Sequence, residues 1–179
     1  MLNDTSTALV VLDVQGHLAR IVDESELFLD RLGLLIRGAQ ILDLPIIWVE
    51  HYPAGLGKTV PEIALLLENL QPVEKDTFSA WKAPAFKKMI QNGDRTSFLL
   101  AGIEAHICIY QTARDLFENG FKVEIVTDAV SSRHRTDMQT AFEKLQNLGI
   151  QPTTVEMALY ELLGRGKGER FKEILKLIR

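Results

Sequence analysis

Short runs of almost continuous apolar residues, rich in branched side chains, alternate along the chain with longer segments of helical spacing. Four of these runs are strong: residues 8–14 (ALVVLDV), 45–50 (PIIWVE), 97–101 (SFLLA) and 122–127 (KVEIVT). Strands without polar alternation are typical of parallel sheets that are covered on both faces. Two weaker runs, at 72–75 and 153–155, extend the predicted sheet.

Helices are predicted between the strands by apolar residues that recur every three or four positions. Three such stripes are Leu32, Leu35, Ile36, Ala39 and Leu42; Ile109, Thr112, Ala113, Leu116 and Phe117; and Met138, Ala141, Phe142 and Leu145. Thr153 and Glu156 have the spacing of a capping box, which predicts a helix over residues 156–163. Apolar positions in residues 171–178 predict a terminal amphipathic helix that covers the chain's own sheet.

The alternation of strands and helices predicts the fold class. Strand–helix–strand units joined by right-handed crossovers give a three-layer α/β/α sandwich around a mostly parallel, doubly wound sheet. The length of 179 residues suits one domain, and no linker or repeat interrupts residues 1–179. Ligands of such sheets bind beyond the carboxyl ends of the strands, so we expect the functional residues there.

Composition narrows the class of protein. Apolar residues make up 46% of the chain, charged residues make up 25%, and the formal net charge is −4. A mildly acidic chain lacks the basic surface that nucleic acids require, and no apolar run approaches the length of a membrane span. The charged start MLNDTSTA does not resemble a secretory leader, and a lone cysteine forms no internal disulfide. We therefore expect a cytoplasmic protein with no nucleic-acid or membrane partner.

Three chemically capable residues lie at predicted strand ends. Asp13 follows the first run, where its carboxylate either enters the site or caps the loop 14–18. Cys108 lies in a turn that leads into a helix, whose first N–H groups favour the thiolate. This cysteine is either a nucleophile or an inert buried residue. Lys75 closes the run 72–75, where it either pairs with Asp13 or is solvated.

Three motifs surround these residues: LDVQ at 12–15, EKDTFSAW at 74–81 and GIEAHICIYQTA at 102–113. In this order and spacing they resemble the isochorismatase-like cysteine hydrolase family. The resemblance runs from about residue 8 to about residue 163, which is nearly the whole chain. The stretch VEHYPAGLGKTVPE at 49–62 is similar to the isochorismatase-domain-containing subgroup.

The resemblance implies a catalytic triad in which Cys108 is the nucleophile, Asp13 the general base and Lys75 the balancing cation. It also implies a non-proline cis peptide bond between Ile103 and Glu104. That bond turns the backbone N–H groups of Glu104 and Cys108 towards an oxyanion. The implied reaction is hydrolysis of an amide-type C–N bond in a small molecule through a thioester intermediate. No cofactor is implied, and homo-oligomers are expected from the family.

The sequence departs from the family at positions that bear on metal and substrate. Some members bind a metal through an Asp and several His after the second strand, whereas this chain has His51 alone beside Glu50. We therefore predict no catalytic metal. The presence of the cysteine argues against isochorismate, which is cleaved by members that lack it. Glu104 stands where small or hydroxylated residues are frequent, and it either repels an anionic substrate or points to solvent.

Aromatic side chains near the motifs indicate where a substrate packs. His51, Phe78 and Trp81 are the candidate substrate-binding residues, and they suit a planar or apolar acyl group. The alternative for each is ordinary packing in the core. We favour core packing for Trp48, which lies within a predicted strand.

Two other functions fit parts of the sequence. A phosphatase of the haloacid dehalogenase type also has an Asp after the first strand, but Gln15 replaces the second Asp that it requires. The main alternative is a catalytically inactive protein with a regulatory, binding or scaffold role on the same fold. The three matched triad positions favour the enzyme.

Overall fold

A six-stranded parallel sheet forms the centre of the molecule, seen in a computed structural model that describes residues 2–179. Its strands are β1 (Thr7–Leu12), β2 (Ile46–His51), β3 (Val73–Lys75), β4 (Ser97–Ile103), β5 (Lys122–Ser131) and β6 (Gln151–Thr153). They lie in the order β3-β2-β1-β4-β5-β6, and every neighbouring pair is parallel. The direction of winding reverses between β1 and β4, as in doubly wound sheets.

Nine α-helices within residues 2–179 cover the sheet or connect its strands. They are α1 (Leu18–Ile21), α2 (Ser25–Ile41), α3 (Pro53–Leu56), α4 (Pro61–Ala64), α5 (Pro84–Asn92), α6 (Tyr110–Glu118), α7 (Arg135–Asn147), α8 (Val155–Leu163) and α9 (Glu169–Ile178). A π-helical turn, Ala105–Ile109, leads into α6. None of the helices in this part of the chain is long and apolar enough to cross a membrane.

Side chains that alternate along each strand build two apolar layers. In β1, Leu9 and Val11 share one buried cluster with α2, α8 and α9. Val10 and Leu12 share the other cluster with α5, α6 and α7. Because both faces of the sheet are covered, its central strands carry apolar residues at successive positions. The predicted three-layer α/β/α sandwich is confirmed.

Several local predictions differ from the structure, including the strand predicted at 153–155, which lies at 151–153. β5 continues to Ser131, beyond the end predicted at 127. Thr154 caps α8 by accepting a hydrogen bond from the Met157 N–H at 3.3 Å, because Thr153 is buried in β6 and is not free to cap a helix. The terminal helix α9 packs mainly on α2 and α8, and its fully buried Ile174 joins the apolar cluster on that face of the sheet.

A close approach between β1 and β4 lies at the edge of the sheet where the functional residues are expected. Gly102, near the end of β4, has a φ of +119°, and a Cβ built on it meets the Leu12 carbonyl oxygen at 2.0 Å. An L side chain tolerates neither that conformation nor that distance. Gly102 therefore allows the end of β4 to lie against the end of β1, one residue before Asp13.

Substitution of Gly102 by Ala tests this packing. We expect Gly102→Ala to lower the free energy of unfolding by about 3 kcal/mol or more, from backbone strain plus the clash with Leu12. Gly120→Ala is the matched control, since Gly120 has a φ of +87° but a methyl group added there meets no atom within 4 Å. Urea denaturation of both variants measures the difference, and equal losses would contradict the steric role of Gly102.

Candidate active site

The ammonium group of Lys75 is the centre of a cluster of reactive side chains. Its Nζ lies 2.7 Å from Asp13 Oδ2, 3.1 Å from His51 Nδ1 and 3.6 Å from Cys108 Sγ. The Lys75 side chain has no exposed surface. An ammonium has three N–H donors and no acceptor, so each proton has one partner. Asp13, Lys75 and Cys108 therefore come together, and His51 joins them as a fourth member.

The topology of the sheet explains why these residues meet. Asp13 follows β1, Lys75 ends β3, and Cys108 lies in the turn after β4. His51 ends β2 and is the register partner of Lys75 in the neighbouring strand. The carboxyl ends of parallel strands meet at one edge of a sheet, so residues far apart in sequence converge there.

The carboxylate of Asp13 enters the site and does not cap the following loop. Oδ2 pairs with Lys75, whereas the buried Oδ1 receives no hydrogen bond from any described residue. Burial raises the pKa of Asp13, and the Lys75 ammonium opposes that rise. One carboxylate oxygen of Asp13 lies within 4.8 Å of Cys108 Sγ, so a base stands beside the thiol.

The Cys108 thiol is protonated in this arrangement. Burial raises the pKa of Cys108 to about 12, the Asp13 charge adds to the rise, and Lys75 opposes it. The N–H groups at the start of the helix therefore do not suffice to make Cys108 a thiolate in this state. A helix terminus contributes about 0.3–1 kcal/mol near the surface, which is too little to offset desolvation beside a carboxylate.

The segment before Cys108 has the backbone feature that the resemblance implied. The peptide bond between Ile103 and Glu104 is cis. The Glu104 side chain is buried, and its Oε1 accepts hydrogen bonds from the backbone N–H and the Nε of Arg133, both at 3.0 Å. Glu104 thus does not point to solvent, so that alternative is wrong, and its charge is paired with Arg133.

His51 is held in place from three sides. Its backbone N–H donates to Gln15 Oε1 at 2.6 Å, and Gln15 Nε2 donates to the His51 carbonyl at 3.1 Å. Its ring stacks on Phe78 with centroids 5.7 Å apart and an interplanar angle of 13°. Because Lys75 only donates, His51 Nδ1 accepts, and the hydrogen-bond network assigns the ring proton to Nε2.

Gln15 is a structural residue whose contacts the sequence did not predict. It is fully buried, and besides His51 it donates to the Gly57 carbonyl at 2.6 Å. It therefore ties the end of β2 to the loop that contains Gly57. The only indication in the sequence was an amide side chain directly after Asp13 and Val14. Its contacts could not be predicted, because its partners lie 36 and 42 residues away.

The aromatic candidates lie in different environments. Phe78 is 54% exposed and stacks on His51, so it borders the site. Trp81 is buried in the core, edge-on to Phe121 with centroids 5.7 Å apart. The prediction of Trp81 as a substrate contact is therefore wrong, because its ring fills the layer beneath α5 and α6.

The ligand types in the cluster raise the question of a metal ion. One atom each from Asp13, His51 and Cys108 lies within 4.8 Å of the others. Lys75 Nζ, however, lies within 3.6 Å of all three side chains and already places a positive charge among them. A second cation at this position would be repelled, so these residues do not fit a metal while Lys75 is protonated.

Comparison with known proteins identifies the family. A model of the isochorismatase domain matches residues 7–157. The chain belongs to the isochorismatase domain family. Isochorismatase domain-containing protein 2 of Danio rerio is 37% identical over 177 residues, which are 99% of this chain and 89% of that protein.

Solved structures of the family share the fold. The MAR1 ribonuclease of Caenorhabditis elegans is 38% identical, with a TM-score of 0.92 over 99% of this chain and 91% of that one. The YcaC protein of Escherichia coli, described as an octameric hydrolase of unknown specificity, is 22% identical, with a TM-score of 0.92 over 98% and 89%. The chain therefore has the isochorismatase-family hydrolase fold, and the recognition from its motifs is confirmed.

The raised pKa of Cys108 predicts its alkylation behaviour. We expect iodoacetamide to react slowly near neutral pH, with a rate that keeps rising towards pH about 12 as the thiolate forms. Asp13→Asn removes the neighbouring negative charge and leaves Lys75 to stabilise the thiolate. The pKa of Cys108 then falls, and the rise in rate moves to lower pH. Intact-protein mass spectrometry across roughly pH 6 to 10 measures both profiles.

The single cysteine makes this measurement specific, and Cys108→Ser serves as the unlabelled control. A wild-type rate that reaches its plateau below the ~8.5 of an ordinary thiol would contradict the electrostatics derived above. So would an Asp13→Asn profile that coincides with the wild type.

Proposed function

We propose that the chain is a cysteine-dependent hydrolase that cleaves the amide-type C–N bond of a small molecule through a thioester acyl-enzyme intermediate. The observation that carries this proposal is the buried Lys75 ammonium, which contacts both the Asp13 carboxylate and the Cys108 thiol. Family membership supports hydrolysis in general. A thiol nucleophile beside a base that can protonate a leaving amine supports the C–N bond as the target.

Attack begins with a thiol rather than a thiolate. Cys108 Sγ bonds to the substrate carbonyl carbon while Asp13 Oδ1, the oxygen without a partner, accepts the thiol proton. Lys75 stays bonded to Asp13 and stabilises negative charge on sulfur as it develops. Transfer of the proton during attack avoids a free thiolate, which burial makes costly.

Breakdown of the tetrahedral intermediate completes the first half-reaction. The backbone N–H groups of Glu104 and Cys108 are the proposed donors to its oxyanion, and each is worth about 3 kcal/mol to the transition state. Asp13 returns the proton to the leaving nitrogen, and the amine departs. Water then attacks the thioester with Asp13 as base, which releases the acid and restores the Cys108 thiol.

This mechanism uses no metal and no cofactor. Lys75 supplies the positive charge that a metal would otherwise contribute beside the nucleophile. Substrate contacts are proposed for His51 and Phe78, whose stacked rings border the site. The exposed surface of Phe78 suits a planar or apolar acyl group. Association into homo-oligomers stays a prediction.

The desolvation free energy of the buried Asp13–Lys75 pair argues against the alternative of an inactive scaffold. A buried ion pair contributes little to stability once its desolvation is counted. Here the pair Asp13–Lys75 is buried, and one carboxylate oxygen has no hydrogen-bond partner in the described chain. A catalytically inactive protein gains no stability from this buried pair, whereas general base catalysis requires the free carboxylate oxygen of Asp13.

The relative from Caenorhabditis elegans suggests a second candidate, the cleavage of RNA. Phosphate transfer needs cations on the phosphate oxygens. Lys75 is committed to Asp13, and Arg133 is paired with Glu104. These contacts and the formal net charge of −4 weigh against RNA as substrate. Incubation with end-labelled RNA, beside the amide assays below, distinguishes the two activities.

Trapping of the acyl-enzyme tests the proposal directly. We expect a panel of primary amides and carbamoyl amines to contain a substrate that releases amine and adds its acyl mass to the Cys108 peptide. Cys108→Ala is expected to lower kcat by at least about 10³-fold, since it removes the nucleophile. The variant is first checked for an unchanged melting temperature. Turnover that survives in Cys108→Ala would exclude a thioester route.

His51 gives a second test of the site. In His51→Leu one proton of the buried Lys75 ammonium loses its acceptor, and we expect kcat to fall about tenfold or more. His51→Gln keeps an acceptor and is expected to recover most of the rate. His134→Leu, on the exposed start of α7, is the control. Equal activity of the Leu and Gln variants at position 51 would show that Lys75 does not need this acceptor.

A further inference from the structure

A second cavity lies beside the edge strand β3. It has a volume of about 1070 Å³, and Lys75 borders it, but neither Asp13 nor Cys108 does. Its lining includes Trp48 and Glu50 from β2. Nothing in the proposed hydrolysis uses this cavity, although its volume suits a small molecule.

The carboxylate of Glu50 is fixed at this cavity. Glu50 is only 3% exposed, and its Oε1 accepts hydrogen bonds from the Thr59 N–H at 2.7 Å and the Thr59 hydroxyl at 2.8 Å. The Trp48 indole N–H donates to the same hydroxyl at 2.8 Å, which commits the hydroxyl proton to Glu50. Oε2 receives no hydrogen bond from residues 2–179, so it is the oxygen left for an occupant.

The charge of Glu50 also has no counterpart in the described chain. Among residues 2–179, no Lys, Arg or His nitrogen makes an ion pair with it within 4.0 Å. A carboxylate that is almost completely buried is normally paired with a cation. Among residues 2–179 only hydrogen bonds hold this carboxylate, so the cavity side, where Oε2 is free, is the side from which a cation can reach it.

The rest of the lining also favours a cation. Glu68, Glu74 and Asp76 are exposed acidic residues of the cavity wall. Of the three lysines that line it, Lys75 is paired with Asp13, Lys82 lies 3.5 Å from Asp115, and Lys58 alone makes no ion pair within residues 2–179.

Two aromatic residues, Trp48 and Tyr52, also line the cavity. Their rings provide π surfaces that attract organic cations. The hydrogen bond from the Trp48 indole fixes one of these rings beside Glu50. An alkyl-substituted cation therefore fits the lining better than a fully hydrated inorganic one.

We propose that this cavity is a binding site for a small organic cation, whose ammonium or guanidinium group pairs with Glu50 Oε2 beside Trp48 and Tyr52. The carboxylate is preorganised, because Thr59 holds its other oxygen. The site is independent of the hydrolytic reaction, so it stands or falls separately from the proposed function.

Calorimetric titration of the full chain with butylguanidinium tests the site. N-butylurea, which has nearly the same shape without the charge, is the matched ligand and is expected not to bind. Glu50→Gln keeps an acceptor for Thr59 but removes the charge, and we expect it to weaken binding about tenfold or more. Glu74→Gln, an exposed acid of the same wall, is expected to change the affinity by about twofold or less.

Substitution of Lys58 is expected to change the affinity for the cation in the direction opposite to Glu50→Gln. It is an exposed residue of the lining whose ammonium repels a bound cation, so Lys58→Gln is expected to strengthen binding of butylguanidinium. Equal affinities of the wild type and Glu50→Gln for butylguanidinium would overturn the proposal. So would equal binding of butylurea and butylguanidinium to the wild type, a comparison that requires no variant to fold.

Light scattering after size exclusion distinguishes the source of the cation. A mass that is unchanged by Glu50→Gln and by butylguanidinium, together with calorimetric binding, assigns the site to a free molecule. If both Glu50→Gln and butylguanidinium lower the mass, the cation that pairs with Glu50 is a basic side chain from a second copy of this chain. Absence of both binding and any mass change would overturn the cation site.

Discussion

The buried ammonium of Lys75 requires three acceptors, and the arrangement of the site follows from that requirement. A charge without exposed surface is stable only when each of its protons has a partner. Asp13, His51 and Cys108 supply these partners from the ends of different strands. The parallel sheet brings the strand ends together, and Gly102 lets β4 lie close enough to β1 for the cluster to close.

The same burial decides the protonation state of Cys108. Desolvation and the Asp13 charge raise the pKa of Cys108 to about 12, although Lys75 opposes them. The charges of the site therefore lie on the Asp13–Lys75 pair, and the thiol is neutral. In the proposed mechanism, the carboxylate oxygen of Asp13 that has no partner accepts the thiol proton during attack.

Successive residues of β2 contribute to two separate sites, the Lys75 cluster and the cavity beside β3. Side chains alternate between the faces of a strand, so His51 reaches the Lys75 cluster while Glu50 reaches the other cavity. Gln15 and Thr59 hold the loop between them, through the His51 backbone on one side and the Glu50 carboxylate on the other. The loop that follows β2 thus contacts residues of both sites.

Apolar runs and helical stripes determined the fold class by themselves, since burial on both faces requires them in a parallel sheet. The motifs around Asp13, Lys75 and Cys108 likewise indicated which residues meet. Tertiary structure alone decided that Trp81 packs in the core, that Arg133 pairs with Glu104, and that the thiol is protonated. Those outcomes depend on distances between residues remote in sequence and on exclusion of water, neither of which a local pattern records.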